Sequence, residues 1–155
     1  MSQDPEHDLF LLLHDVARLV RVEADRRARL QGMTRAQWAL LLKLARNPGL
    51  SQKEVADLLE VEPISVARLV DRLEANGLIE RRPDASDRRI WRLHLLPAAA
   101  SALEQINRQR AQLAALISAE MPLTLHDAMV LGLQQMKTNI MRMSQAAAQN
   151  LKEIA

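Results

Sequence analysis

The sequence predicts a mainly α-helical chain interrupted by one small β-hairpin. Three observations carry that expectation. Leu, Ala, Val and Met supply most of the apolar residues, whereas there is one Phe, no Tyr and only two Trp. That composition suits helix packing better than a β-sandwich. Apolar residues recur at helical spacing through most of the chain, punctuated by capping signals. Only residues 78–95 break the rhythm, with a turn-like PDASD followed by alternation at period two.

The first helix is expected over residues 8–30, with Leu9, Leu12, Val16, Leu19 and Val20 on one face. Phe10, Leu11 and Leu13 widen that stripe beyond what one neighbour covers, and Gly32 ends the helix. A second helix follows in TRAQWALLLKLARN, capped by Thr34 and stopped by Asn47-Pro48-Gly49. Ser51 and Glu54 form an S-x-x-E capping box, so a third helix starts at Ser51, with Val55, Ala56 and Leu59 on its apolar face. The EVEP that follows is short enough only for a turn. Pro63 then stands in the first turn of a fourth helix, where its missing N–H costs nothing. Val66, Leu69, Val70 and Leu73 make that helix's buried stripe, and Asn76-Gly77 closes it. Two short helices joined by a tight turn outline a helix-turn-helix.

After Gly77, Leu78 and Ile79 lead through Arg81-Arg82 into the PDASD turn. Trp91, Leu93 and Leu95 then alternate with Ile90, Arg92 and His94, and an apolar segment, a turn and a period-two segment read as a β-hairpin. Pro97 is expected to open a long helix that Pro122 stops, and Thr124 with Asp127 to start the last one. There Met129, Leu133, Met136, Ile140, Met143 and Ala147 are spaced 4-3-4-3-4, a heptad seam.

Several function classes drop out on composition. Without cysteine, disulfides, thiolate zinc sites and thiol redox sensing are excluded. The four histidines (His7, His14, His94, His126) show no ligand spacing, and His14 reads as a packed or paired side chain. No nucleophile–base pair or phosphate loop can be assembled, so neither an enzyme nor a cofactor is expected. No apolar run approaches the ~20 residues of a membrane span. The acidic MSQDPEHD start is the opposite of a signal peptide, and a soluble cytoplasmic protein is expected.

Charge is informative only by placement. The net charge is +2, and across residues 51–94 nine acids face eight Lys and Arg, so this segment is no basic patch. Yet five arginines fall within residues 81–95. On the fourth helix, Ser65, Arg68 and Arg72 lie opposite the apolar stripe, at i, i+3 and i+7. Such arginines could offer paired donors to guanine in the major groove, or could instead be solvated or paired with Glu62, Asp71 or Glu74.

The stretch LSQKEVADLLEVEPISVARLVDRLEANGLIERRPDASDRRIWRLHL, with MTRAQWALL upstream, resembles the MarR family of bacterial transcription regulators, in particular its SlyA-like branch. The D-R-R hairpin followed by alternating apolar residues is the specific part, and the similarity extends over nearly the whole chain. One departure is Leu96-Pro97, where the family often has Leu-Thr; it alters a helix cap rather than the DNA surface.

The resemblance implies a winged helix-turn-helix core plus N- and C-terminal dimerisation helices. Residues 1–33 would be the N-terminal dimerisation helix, 34–96 the DNA-binding domain and 97–155 the C-terminal dimerisation helices. It implies a homodimer on double-stranded DNA with a pseudo-palindromic operator. Arg89 would enter the minor groove, with Asp87, as its orienter, holding the guanidinium extended and Arg88 nearer the phosphates. It implies further that a small aromatic or lipophilic anion binds near Arg18, Thr34 and Trp38, with Arg21 and Met33 nearby. For these the plain alternatives are a core Trp38, a capping Thr34 and a salt-bridging Arg18. The expected function is a sequence-specific regulator, a repressor released by its ligand. The competing expectation is an architectural, nucleoid-type DNA binder with little sequence preference.

Overall fold

The structure, a computed structural model, describes residues 8–153, and side-chain surroundings from residue 8 to residue 146. Its elements are α1 (Leu9–Leu30), α2 (Arg35–Arg46), α3 (Gln52–Leu59), α4 (Pro63–Ala75), β1 (Ile79–Pro83), β2 (Trp91–Leu95), α5 (Ala99–Ile117) and α6 (Leu123–Glu153). The chain divides into two compact units, Met1–Leu113 and Ala114–Ala155.

Local chemistry sets the helix starts of the first unit. Asp8 caps α1, its carboxylate accepting from the amides of Phe10 and Leu11 at 2.8 and 3.2 Å. Thr34 and Gln37 form a reciprocal capping box on α2, and Ser51 and Glu54 form another on α3. Each satisfies amides that the helix cannot, worth about 1 kcal/mol per cap. Gly32, at φ +68°, takes the left-handed conformation just past the end of α1. The turn between α3 and α4 begins with Glu60 at φ 54°, a conformation that L side chains rarely hold.

One core joins these elements. Ala28, Trp38, Leu40, Leu41, Leu44, Val55, Ala56, Val66, Val70, Leu73, Ile79, Leu93 and Ile106 are buried together. Val66, Val70 and Leu73 are fully enclosed, which fixes the opposite face of α4 outward. Leu69, in the same stripe, packs partly buried against them. The beginning of α5 belongs to this core through Ala102, Leu103 and Ile106. Arg27 ties α1 to α5, donating to Glu23 at 2.9 Å and to Gln109 at 3.0 Å. The paired guanidinium groups of Arg26 and Arg27 hold the Glu23 carboxyl down to about 2.

β1 and β2 pair antiparallel, with Ile79 opposite Leu95, Arg81 opposite Leu93 and Pro83 opposite Trp91. The segment before α3 adds to the other edge of β2: Gly49 donates to the Leu93 carbonyl and the Leu93 amide to Leu50, with a bridge between Ser51 and Arg92. The hairpin therefore grows from the helix-turn-helix at a fixed angle.

Several expectations need correction. α5 starts at Ala99, because Pro97 and Ala98 form a turn in which the amides of Ala99 and Ala100 reach back to Leu96 and Pro97. It stops at Ile117, before Pro122, where Ser118 turns onto the Ala114 carbonyl and Glu120 goes left-handed. Thr124 lies inside α6 rather than at its cap; the Pro122 carbonyl takes the first bonds, from Leu125 and His126. Trp91, at the outer end of the alternating apolar residues, is 48% exposed because it projects past the end of the core. His14 is exposed on α1 rather than packed.

In the second unit, α6 leaves Met129, Leu133, Ile140 and Met143 of the heptad seam exposed. The side chain of Ala147, the last seam position, lies outside the described residues. No described helix is long and apolar enough to cross a membrane.

Candidate nucleic-acid interface

Because the core grips Val66, Val70 and Leu73, α4 turns Ser65, Arg68 and Arg72 to solvent. Two of their nearby acids, Asp71 and Glu74, are already engaged. Arg81 of β1 bonds Asp71 and Glu74, and its amide also donates to Glu74. Among the described residues, neither Arg68 nor Arg72 has an ion-pair partner within 4.0 Å. Of the acids that could pair with these two arginines, Asp71 and Glu74 are engaged by the hairpin, and among the described residues Glu62 pairs with neither.

The same sorting runs through the hairpin. Arg81 braces β1 against α4, and Arg82 pairs with Glu80. Arg92 works on the other side, donating to Asp84 at 2.7 Å, to Glu54 at 2.9 Å and to the Gly49 carbonyl at 3.3 Å. It links the turn of the hairpin to the cap of α3. Only Arg88 and Arg89 at the tip are left exposed with no acid on their guanidinium groups, among the described residues.

Asp84 organises that tip. It accepts from the Ser86 hydroxyl and amide at 2.6 and 2.8 Å and from the Asp87 amide at 3.0 Å. These bonds, led by the Ser86 hydroxyl and the Arg92 guanidinium, hold its carboxyl well below the usual carboxylate range. Glu54 is lowered likewise, first by the Ser51 amide in the capping box.

Asp87 acts differently from the sequence expectation. Its carboxylate accepts from the backbone amide of Arg89 at 2.9 Å, while its carbonyl accepts from Ile90. It thus shapes the chain that carries Arg89 and does not clamp the guanidinium. A short aspartate side chain bonding an amide two residues on is an ordinary turn device. Spacing alone could not distinguish it from a side-chain pair.

The proposed ligand residues do not gather in one place. Met33 and Thr34 line a cleft of about 390 Å³ with Arg29, Gln37, Arg72 and Asn76. Trp38 is 3% exposed, in the core, and its indole nitrogen has no hydrogen-bond partner among the described residues. Thr34 is used as a cap. Arg18 lies 3.7 Å from Asp15 on the open face of α1, and Arg21 is exposed further along it. Arg72, expected only to face DNA, borders the cleft as well. Arg81, Asp84 and Arg92, which fix the hairpin, were not singled out by sequence reasoning; the partners of the two arginines lie 7 to 43 residues away, beyond any local pattern.

A helix with two unpaired guanidinium groups beside a thin hairpin with two more is suited to base edges and phosphates. Fold and surface together define a winged helix-turn-helix. The sequence profile of the MarR family matches residues 31–90. The crystal structure of the transcriptional regulator PA3341 is similar over 87% of this chain and 99% of its own, at 30% identity and a TM-score of 0.74. That of MarR matches over 92% and 96%, at 27% identity and a TM-score of 0.80. The structure of SlyA, at 24% identity, a TM-score of 0.72 and coverage of 86% and 94%, shares the fold. A Thauera aromatica protein named as a candidate transcriptional regulator for the hcr operon is 37% identical over 78 residues, 50% of this chain and 47% of that protein. The chain thus spans about half the length of that curated relative. Residues 31–90 of this chain thus match the MarR family, on a fold shared with the structures of MarR and SlyA.

Proposed function

We propose that this protein is a sequence-specific DNA-binding regulator that acts as a homodimer on a pseudo-palindromic operator, as a repressor. One observation carries the reading: of the seven arginines on α4 and the hairpin, the three nearest its base and strands are consumed by acids, and those left free face outward at two separate points. In this reading α4 enters the major groove, where Arg68 and Arg72 offer paired donors to guanine and Ser65 meets a base edge or phosphate. Arg89 enters the adjacent minor groove, where negative potential is concentrated, and Arg88 meets phosphates. Asp87 holds the Arg89 backbone in place. The exposed apolar residues of α1 and the seam of α6 are the surfaces that a second chain would cover, placing two recognition helices ~34–36 Å apart.

Release by a small aromatic or lipophilic anion is supported by the cleft that Met33 and Thr34 share with Arg72, a residue in the DNA-facing set. An anion drawn to Arg72 would compete directly with a base contact. Benzoate and a fatty acid, each titrated into the protein–DNA complex, test this part: release of DNA at submillimolar concentration supports it.

The test of the main reading is selection from a random duplex pool, followed by competition at one salt concentration. A specific regulator holds its selected duplex at least ~10³-fold tighter than unrelated DNA. A ratio near one would favour the architectural reading instead.

A further inference from the structure

Trp91 is half-exposed on a small hairpin, and nothing in the hairpin's own packing accounts for so large an apolar side chain there. The register settles where it stands. Ile79, Arg81 and Pro83 lie opposite Leu95, Leu93 and Trp91, so these six side chains share one face of the hairpin. That face is turned toward α4, because Ile79 and Leu93 are buried in the core and Arg81 bonds Asp71 and Glu74. Arg92, on the other face, reaches Glu54 and the Gly49 carbonyl instead. Trp91 is therefore the next residue outward from the Arg81 brace, on the face of the hairpin that Arg81 ties to the recognition helix.

We propose that Trp91 is a contact for the DNA sugar–phosphate backbone, at the point where a strand passes between the hairpin tip and α4. The proposal rests on the DNA-binding reading above. If α4 lies in the major groove and Arg89 in the neighbouring minor groove, the strand separating those grooves must cross the angle between the two elements. On the hairpin Trp91 stands between the Arg81 brace to α4, which carries the free Arg68 and Arg72, and the tip, which carries Arg88 and Arg89. Its indole N–H is a donor suited to a phosphate oxygen, and its ring offers apolar surface to a deoxyribose. Contacts of this kind fix register without reading sequence.

The chain has two tryptophans, and the other, Trp38, is 3% exposed, so collisional quenching by acrylamide reports on Trp91. The probe is the duplex enriched from a random pool by the unaltered full-length protein. Saturation with it should reduce the quenchable fluorescence several-fold, and the Trp91→Phe variant should lack that quenchable component. Trp91→Ala should weaken binding by about tenfold, equally for the selected duplex and for a base-substituted one, with thermal stability unchanged. If the duplex binds but Trp91 stays as quenchable as before, the backbone contact is refuted while the DNA-binding reading stands. Trp91 already shielded in the free protein would also refute it, by showing that the protein itself covers the ring. If no duplex is enriched, both the contact and the reading beneath it fail.

Discussion

Asp87 reaches Arg89 through the backbone: its carboxylate oxygen lies 2.9 Å from the Arg89 amide, and the guanidinium is left free. A cap needs an acceptor oxygen, not a charge. Asp87→Asn, which keeps the acceptor, should bind DNA as tightly as the unaltered protein or more tightly, because a negative charge near phosphates is removed. Asp87→Ala should lose much of what Arg89→Ala loses, and the double variant should be little worse than Arg89→Ala, since the two act as a unit. Affinities of the four variants at one salt concentration check this. Tighter binding by Asp87→Ala would leave the aspartate with no part in presenting Arg89.

The hairpin turn should tolerate mild acid. Asp84 has its carboxyl lowered in the folded chain, so its contribution is complete above the ordinary aspartate value near 3.8 and is lost as pH falls through the lower folded value. Acrylamide quenching of Trp91 should therefore stay flat from neutral pH down to about 5. In Asp84→Asn, which cannot pair as an anion with Arg92, the hairpin should be looser at neutral pH already. A change in quenching of the unaltered protein between pH 7 and 5 would contradict the assignment.

Glu60 is a non-glycine residue in the left-handed region at the turn of the helix-turn-helix. Glycine takes that conformation without the steric cost, so Glu60→Gly should stabilise the chain by about 0.5–1 kcal/mol. Urea denaturation of the two proteins measures it. A destabilised variant would mean that the Glu60 side chain makes interactions outweighing the backbone strain.

Much of this was legible beforehand, and unevenly so. Capping at Thr34 and Ser51 is local: hydroxyl and acceptor stand three residues apart, so the signal lies within one turn of chain. Pro63 at the start of α4 and the buried stripe of Val66, Val70 and Leu73 are equally local. The end of α5 was misplaced because Pro122 marks only the latest point at which a helix must stop, while Ser118 and Glu120 stopped it sooner. The exposure of Trp91 was not legible, because alternation gives the face of a strand but not where the core beneath it ends. The partners of Arg81 and Arg92 could not be foreseen, since Asp71, Glu74 and Glu54 meet them only through the hairpin's tertiary placement.

The exposed seam of α6 calls for a partner surface. Removing residues 124–155 should abolish the proposed dimer, and with it tight DNA binding, and should lower solubility, because the apolar surface that the seam would cover in that dimer loses its partner. Sedimentation at micromolar concentration is the measurement. A well-behaved truncated dimer would move the interface off α6.

The central claim is that arginines left unpaired by the fold read DNA sequence, and Arg68 tests it most directly. Site selection from a random duplex pool, run in parallel on the unaltered protein and on Arg68→Ala, is the decisive measurement. Loss of one bidentate contact should cost about 1–3 kcal/mol and relax the preference at one base position in each half-site, leaving the other positions intact. An unchanged preference at every position, with only a uniform loss of affinity, would contradict direct readout by Arg68 and leave it a phosphate contact.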